Sequence, residues 1–262
     1  MKMWSGYLVL AAMFMAAKPA AAAQGAEMTW TVDGVERVAL VCAPASVGAK
    51  PLPLVFVFHG HGGTMQTASQ GLRIHAQWPE AIVVYPQGLR TVSSVDPQGL
   101  RFGWQTHDGQ NGNRDLKFFD AMLAGLRQKY AIDDQRIYST GFSNGAVFSY
   151  LLWAERGKTL AAFGICAGRV PASAHLTMPR AAIVIGGKSD PILPFSYQEQ
   201  AIEDARQADG ATGPGQDCGP GCTLYASASH TPVVTRIHSG GHVFPPWAAS
   251  AIVEFFQAHK HP

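Results

Sequence analysis

Short apolar runs alternate along this chain with longer stretches in which apolar residues recur every three or four positions. That alternation predicts an α/β fold: a mostly parallel central sheet with helices on both faces. Strands are expected at residues 38–41, 54–58, 81–85, 136–140, 161–166, 181–185 and 233–237. Helices are expected at 115–130, 146–156, 197–208 and 247–259. In the first of these helices Leu116, Phe119, Met122, Leu123 and Leu126 mark one buried face, which leaves Asp120 to solvent. Two segments break the alternation: 87–113, polar and Gly-rich but holding Phe102 and Trp104, and 211–229. Loops this long inside a compact domain are usually functional or disordered, and the aromatic residues of 87–113 favour the functional reading there. No internal repeat or second domain is visible.

Residues 1–23 read as a secretory leader rather than as part of the fold. Lys2 opens it, an apolar stretch runs from residue 7 to residue 17, and Ala21-Ala22-Ala23 offers a small-residue cleavage site. The stretch is too short to span a bilayer and Lys18-Pro19 closes it, so no membrane association is expected after cleavage. The remaining residues, 24–262, suit one α/β domain able to bury a large core. The leader carries Lys2 and Lys18 and no acid, so its removal takes the formal charge from +2 to neutral. A neutral domain offers no electrostatic footprint for nucleic acid or for an anionic membrane, and neither is expected as a partner.

Four cysteines in an exported chain invite disulfides. Cys218 and Cys222 flank a tight Gly-Pro-Gly turn and are expected to bridge. A metal clip there is disfavoured because no histidine or second cysteine pair stands at ligand spacing. Cys42 and Cys166 fall in or beside strands, and either a bridge or two buried thiols is open.

The candidate chemistry begins at Gly141-Phe142-Ser143-Asn144-Gly145, between a predicted strand and a predicted apolar helix. A Gly-x-Ser-x-Gly pentad is frequent by chance, so its placement decides. At a strand-to-helix turn the glycines allow a sharp bend that exposes the Ser143 hydroxyl as a nucleophile; an inert serine in a Gly-rich turn is the alternative. Serine needs a base, and the base an orienting acid. Asp190 follows the strand at 181–185, at the strand end where open α/β sheets bind ligands, and is favoured as the acid over Glu203 and Asp204 on a helix surface. His242 follows the last strand through Gly240-Gly241 and is favoured as the base over His238. The strand at 54–58 ends in His59-Gly60-His61-Gly62-Gly63, whose free amides suit a developing oxyanion, and the amide of Asn144 supplies a second donor. With no carboxylate in that turn, a metal held by His59 and His61 is disfavoured.

These segments, with Val84-Tyr85-Pro86-Gln87-Gly88 and Ser189-Asp190-Pro191-Ile192-Leu193-Pro194-Phe195, resemble the secreted polyhydroxybutyrate-depolymerase-like and feruloyl-esterase-like members of the α/β-hydrolase superfamily. The resemblance spans about residues 35–260 and implies Ser143 as nucleophile, Asp190 as acid and His242 as base, with the amides of His61 and Asn144 as the oxyanion hole. The chain departs from the family where Gly186-Gly187-Lys188 replaces His-Gly-Thr, Phe195 replaces Tyr and Phe244 replaces Trp. Those changes spare the triad and bear on substrate.

The resulting expectation is a secreted or periplasmic serine esterase that needs no metal or organic cofactor. Its partner would be a small or oligomeric ester derived from plant cell wall or polyester: a hydroxyalkanoate oligomer, a feruloyl ester or an acetyl ester. No linker or polymer-binding module follows the last helix, which leans towards soluble esters. Trp104, with Phe102, and Phe244 and Trp247 beside His242, are expected to wall a substrate pocket, with ordinary packing as the alternative. The runner-up is a peptidase or an acyltransferase using the same triad; a degenerate scaffold that only binds polymer or carbohydrate is a further alternative, against which the presence of all three triad candidates argues.

Overall fold

In the strand Leu52–Phe58 (β3), Leu54, Phe56 and Phe58 join one apolar cluster while Val55 and Val57 join another. A strand buried on both faces reads as an unbroken apolar run and requires helices on both sides. The computed structural model, which describes residues 25–45 and 50–261, extends that logic over a ten-stranded sheet. The leader expected over 1–23 lies outside the described residues.

On either side of β3 in sequence come β1 (Ala26–Val32), β2 (Val35–Cys42) and β4 (Ile82–Pro86). Two short strands, β5 (Leu89–Arg90) and β6 (Phe102–Gly103), pair with each other alone. The rest are β7 (Ile132–Phe142), β8 (Ala162–Cys166), β9 (Ala181–Gly187), β10 (Gln216–Asp217), β11 (Cys222–Tyr225) and β12 (Val233–His238). The sheet order is β1-β2-β4-β3-β7-β8-β9-β12-β11-β10. From β4 to β12 all neighbours are parallel, and antiparallel strands finish both edges.

Helices α3 (Arg114–Lys129), α4 (Asn144–Arg156) and α5 (Phe195–Ala208) cover the Phe56 face. Helices α1 (Met65–Leu72), α2 (Ile74–Gln77) and α6 (Ala248–Ala258) cover the Val55 face. The face of α3 expected from periodicity is the buried one. Its exposed Asp120 pairs with Arg156 of α4 at 2.9 Å. Asp115, in the first turn of α3, is instead buried and meets Arg37 at 2.9 Å, close to the positive end of the helix.

The edges differ from the sequence expectation. β1 is a half-exposed strand with polar residues at alternate positions, and no apolar run announces it. The segment 211–229, expected as a loop, contributes β10 and β11, and the Cys218–Cys222 disulfide closes their hairpin. Helix α1, not among the helices expected, opens on a reciprocal capping box between Thr64 and Thr67 and buries Met65, Ala68 and Leu72 at helical spacing. Cys42 and Cys166 are free, buried thiols, and burial pushes the Cys42 thiol up to about 11. No helix among the described residues is long and apolar enough to cross a membrane.

Candidate active site

β7 runs directly into α4, and Ser143 is the single residue between them. It sits at φ 55° and ψ −119°, a region costly for a residue with a side chain. Neighbours impose that strain. Its amide donates to the Cys166 carbonyl of β8 at 3.0 Å, and its carbonyl accepts from Val147 at 3.0 Å as α4 begins. The two flanking glycines make the crossing sterically possible. A Cβ at Gly145 would lie 2.2 Å from the Phe58 carbonyl oxygen, and one at Gly141 would lie 2.4 Å from the Gly145 backbone. The turn therefore packs backbone against backbone and lifts the serine clear of the sheet.

His242, on the loop after β12, reaches this serine across 99 residues of sequence. Its Nε2 is 2.8 Å from Ser143 Oγ, and its Nδ1 is 2.7 Å from Asp190 Oδ2. Asp190, on the loop after β9, is almost fully buried. Burial alone would raise its carboxyl. Backbone N–H groups of Leu193 and Ile192 donate to Oδ1 at 2.8 and 2.9 Å, and together with the His242 contact they hold it below the ordinary carboxylate value. An ionised Asp190 places the imidazole proton on Nδ1, which leaves Nε2 as the acceptor for the serine hydroxyl. The Phe142 ring packs against the His242 ring at 4.9 Å. The rival His238 lies elsewhere: it accepts from the Gly240 amide and packs edge-on against Trp247.

Gly60 borders the serine from the β3 side, where a Cβ would lie 3.5 Å from Ser143 Cβ. His59 is a structural member of this turn. Its Nδ1–H donates to the Gly60 carbonyl at 2.8 Å, its Nε2 accepts from Gly88 at 3.0 Å, and burial lowers its pKa to about 4. His61 turns its ring to Asp96 and Ser93 of the β5–β6 excursion. The Asn144 amide opens α4, at the helix end that favours negative charge. Among the hydrogen bonds of the described residues, neither the His61 nor the Asn144 backbone amide is a donor.

The expected aromatic wall divides. Trp104 is corrected: it is 1 % exposed, stacks on Phe148 at 5.5 Å and donates its indole N–H to the His59 carbonyl. Its loop folds back into the core, so it supports the turn from beneath and cannot line a pocket. Phe102 is partly exposed. Phe244 is half-buried against Phe142, and Trp247 is half-buried beneath the Arg236 guanidinium. Gln198, not singled out by the sequence, donates to Asp190 Oδ2 at 3.2 Å and to the Leu193 carbonyl at 2.8 Å. It shares the buried face of α5 with Ala201, Ile202 and Ala205, and that helical spacing is the signal that could have found it.

Residues 37–210, about two thirds of the chain, match the family described as Esterase PHB depolymerase. Among curated relatives, the probable feruloyl esterase C of Aspergillus oryzae is 28% identical over 221 residues, which is 80% of this chain and 79% of that protein. The probable feruloyl esterase C of Aspergillus niger is 30% identical over 146 residues, or 55% of this chain and 51% of that one. In that alignment the chain spans about half the length of its relative. Among solved structures, the acetyl xylan esterase from Aspergillus awamori superposes with a TM-score of 0.67 at 14% identity, over 89% of this chain and 99% of that one. At that identity the likeness speaks for the fold: a mostly parallel sheet with helices on both faces, the α/β-hydrolase fold.

Proposed function

The chain belongs to the Esterase PHB depolymerase family, and from that membership we propose that it hydrolyses carboxylic esters through Ser143, His242 and Asp190 by way of an acyl-enzyme. The observation that carries the reading is the pair of contacts at His242, 2.8 Å to the serine hydroxyl and 2.7 Å to the buried carboxylate. As Ser143 Oγ attacks the ester carbonyl, its proton passes to Nε2, and the imidazolium is stabilised by Asp190. The carbonyl oxygen, now negative, is received by the backbone N–H groups of His61 and Asn144. Collapse of the tetrahedral species gives the Nε2 proton to the leaving alkoxide, frees the alcohol and leaves the acyl group on Ser143. Water then takes the alcohol's place, gives a proton to Nε2 and attacks the acyl carbonyl. The acid departs, and Ser143 recovers its proton.

Relatives and structural neighbours named for feruloyl and acetyl xylan esters, with the family description, support feruloyl, acetyl and hydroxyalkanoate esters as the substrate class. Export is supported by the leader pattern at 1–23 and by the Cys218–Cys222 disulfide. The test is hydrolysis by the purified protein of p-nitrophenyl acetate, methyl ferulate, acetylated xylan and hydroxybutyrate oligomers. At least one is cleaved, and Ser143→Ala loses about 10⁴-fold or more in kcat while staying folded. A wild type inert on every ester, or a fully active Ser143→Ala, overturns the reading.

A further inference from the structure

Asp96 lies between β5 and β6 with only 9 % of its surface exposed, and its carboxylate is turned inward. Oδ1 accepts from the Leu100 amide at 3.2 Å, and Oδ2 accepts from the Arg101 amide at 2.8 Å. The same Oδ2 is 3.1 Å from His61 Nε2, and Ser93 Oγ is 3.3 Å from that nitrogen. Burial pulls the carboxyl upward, but the Arg101 amide, His61 and the Leu100 amide outweigh it and hold Asp96 below its ordinary value. His61 Nε2–H therefore donates to an anion. The other ring nitrogen, Nδ1, is buried with no hydrogen-bond partner among the described residues and faces Gly103, where a Cβ would come within 2.6 Å of it.

An imidazole buried with one nitrogen unpaired is less favourable than a satisfied one. An apolar side chain would fill the space without that cost. What the histidine adds is a directional, charge-assisted bond from the turn that carries the His61 amide to a carboxylate 35 positions away. The same excursion touches this turn again where the Gly62 amide donates to the Phe102 carbonyl at 2.7 Å. On its far side Trp104 is held by the Asn144 side chain. One segment thus grips both residues whose backbone amides would face the oxyanion. Such donors work only when held to a fraction of an ångström.

We propose that Asp96 is a positioning residue: acting through His61 Nε2, it fixes the His61 backbone amide against the developing oxyanion and so sets the rate of ester hydrolysis without touching substrate. This rests on the esterase reading above. The oxyanion is common to every ester, so a loss of its donor falls equally on all acyl groups, whereas a lost substrate contact falls on some.

The experiment compares wild type, Asp96→Asn, His61→Phe and the double variant on p-nitrophenyl acetate and on a feruloyl ester. Binding of a trifluoromethyl ketone, which forms a tetrahedral adduct, is measured alongside. Each single variant should lose about 10- to 100-fold in kcat with KM within about threefold, by the same factor on both esters and in ketone affinity. The double variant should lose no more than the worse single one. His61→Phe leaves the Leu100 and Arg101 bonds to Asp96 in place, so it carries the test alone should Asp96→Asn unfold. Unchanged kinetics, losses that differ between the two esters, or additive losses overturn the proposal while the esterase reading stands. A wild type inert on both esters overturns both.

Discussion

The Asn144 side chain holds Trp104 by its backbone from both sides: Oδ1 accepts from the Trp104 amide at 2.7 Å, and Nδ2 donates to the Trp104 carbonyl at 3.2 Å. The residue after the candidate nucleophile is thereby tied to a segment buried 40 positions upstream. Asn144→Asp keeps the shape, loses the donor and sets a negative charge beside the proposed oxyanion. We expect kcat to fall by about 100-fold, within the range for a lost oxyanion donor, with folding retained by circular dichroism. An unchanged kcat would show that this end of α4 does not face developing charge.

Gly145 admits no side chain. A Cβ would lie 2.2 Å from the Phe58 carbonyl oxygen and 2.7 Å from that of His59, both main-chain atoms with nowhere to retreat. Gly145→Ala should destabilise the fold by at least about 2 kcal/mol, and denaturant unfolding measures it. A stability equal to wild type would mean that α4 and β3 do not pack as closely as described.

His59 links stability to pH. Its ordinary value is 6.5, and in the folded protein burial lowers it to about 4. Between those values the unfolded chain binds the extra proton and the folded one does not, so acid favours unfolding there. This contribution is fully present above pH 6.5 and is lost progressively as pH falls to about 4, amounting to about 3 kcal/mol. Thermal melts at pH 7 and pH 4.5 should show a smaller acid-induced drop for His59→Gln than for wild type. Equal drops would place the proton uptake elsewhere.

The Cys218–Cys222 bridge closes the β10–β11 hairpin at the edge of the sheet. So short a closed loop contributes about 2 kcal/mol in the chain-entropy picture. Cys218→Ser with Cys222→Ser should lower stability by about that amount and leave kcat/KM on p-nitrophenyl acetate within about twofold. A collapse of activity would tie the edge hairpin to the His242 loop more tightly than its position suggests.

The central strands were legible because burial on both faces writes itself as unbroken apolar sequence, as in β3 and β9. β1, β10 and β11 were not, since these strands at the antiparallel margins of the sheet keep a wet face and need few apolar residues. Ser143, Asp190 and His242 could be selected from local context because each follows a strand at the same end of the parallel sheet. Their supports could not. The His61–Asp96 and Asn144–Trp104 contacts join polar residues 35 and 40 positions apart, and no periodicity marks such a pair. Trp104 misled for a related reason: an aromatic residue in a polar loop suggests a pocket wall until the loop is seen to fold back beneath β3.

Fluorophosphonate labelling followed by peptide mass spectrometry is the most direct measurement of the proposed chemistry, since the probe bonds covalently to an activated serine. One adduct per chain on Ser143, lost in Ser143→Ala and sharply slowed in His242→Ala, is the result expected. An adduct on another residue, or none from a protein that still hydrolyses esters, would contradict it.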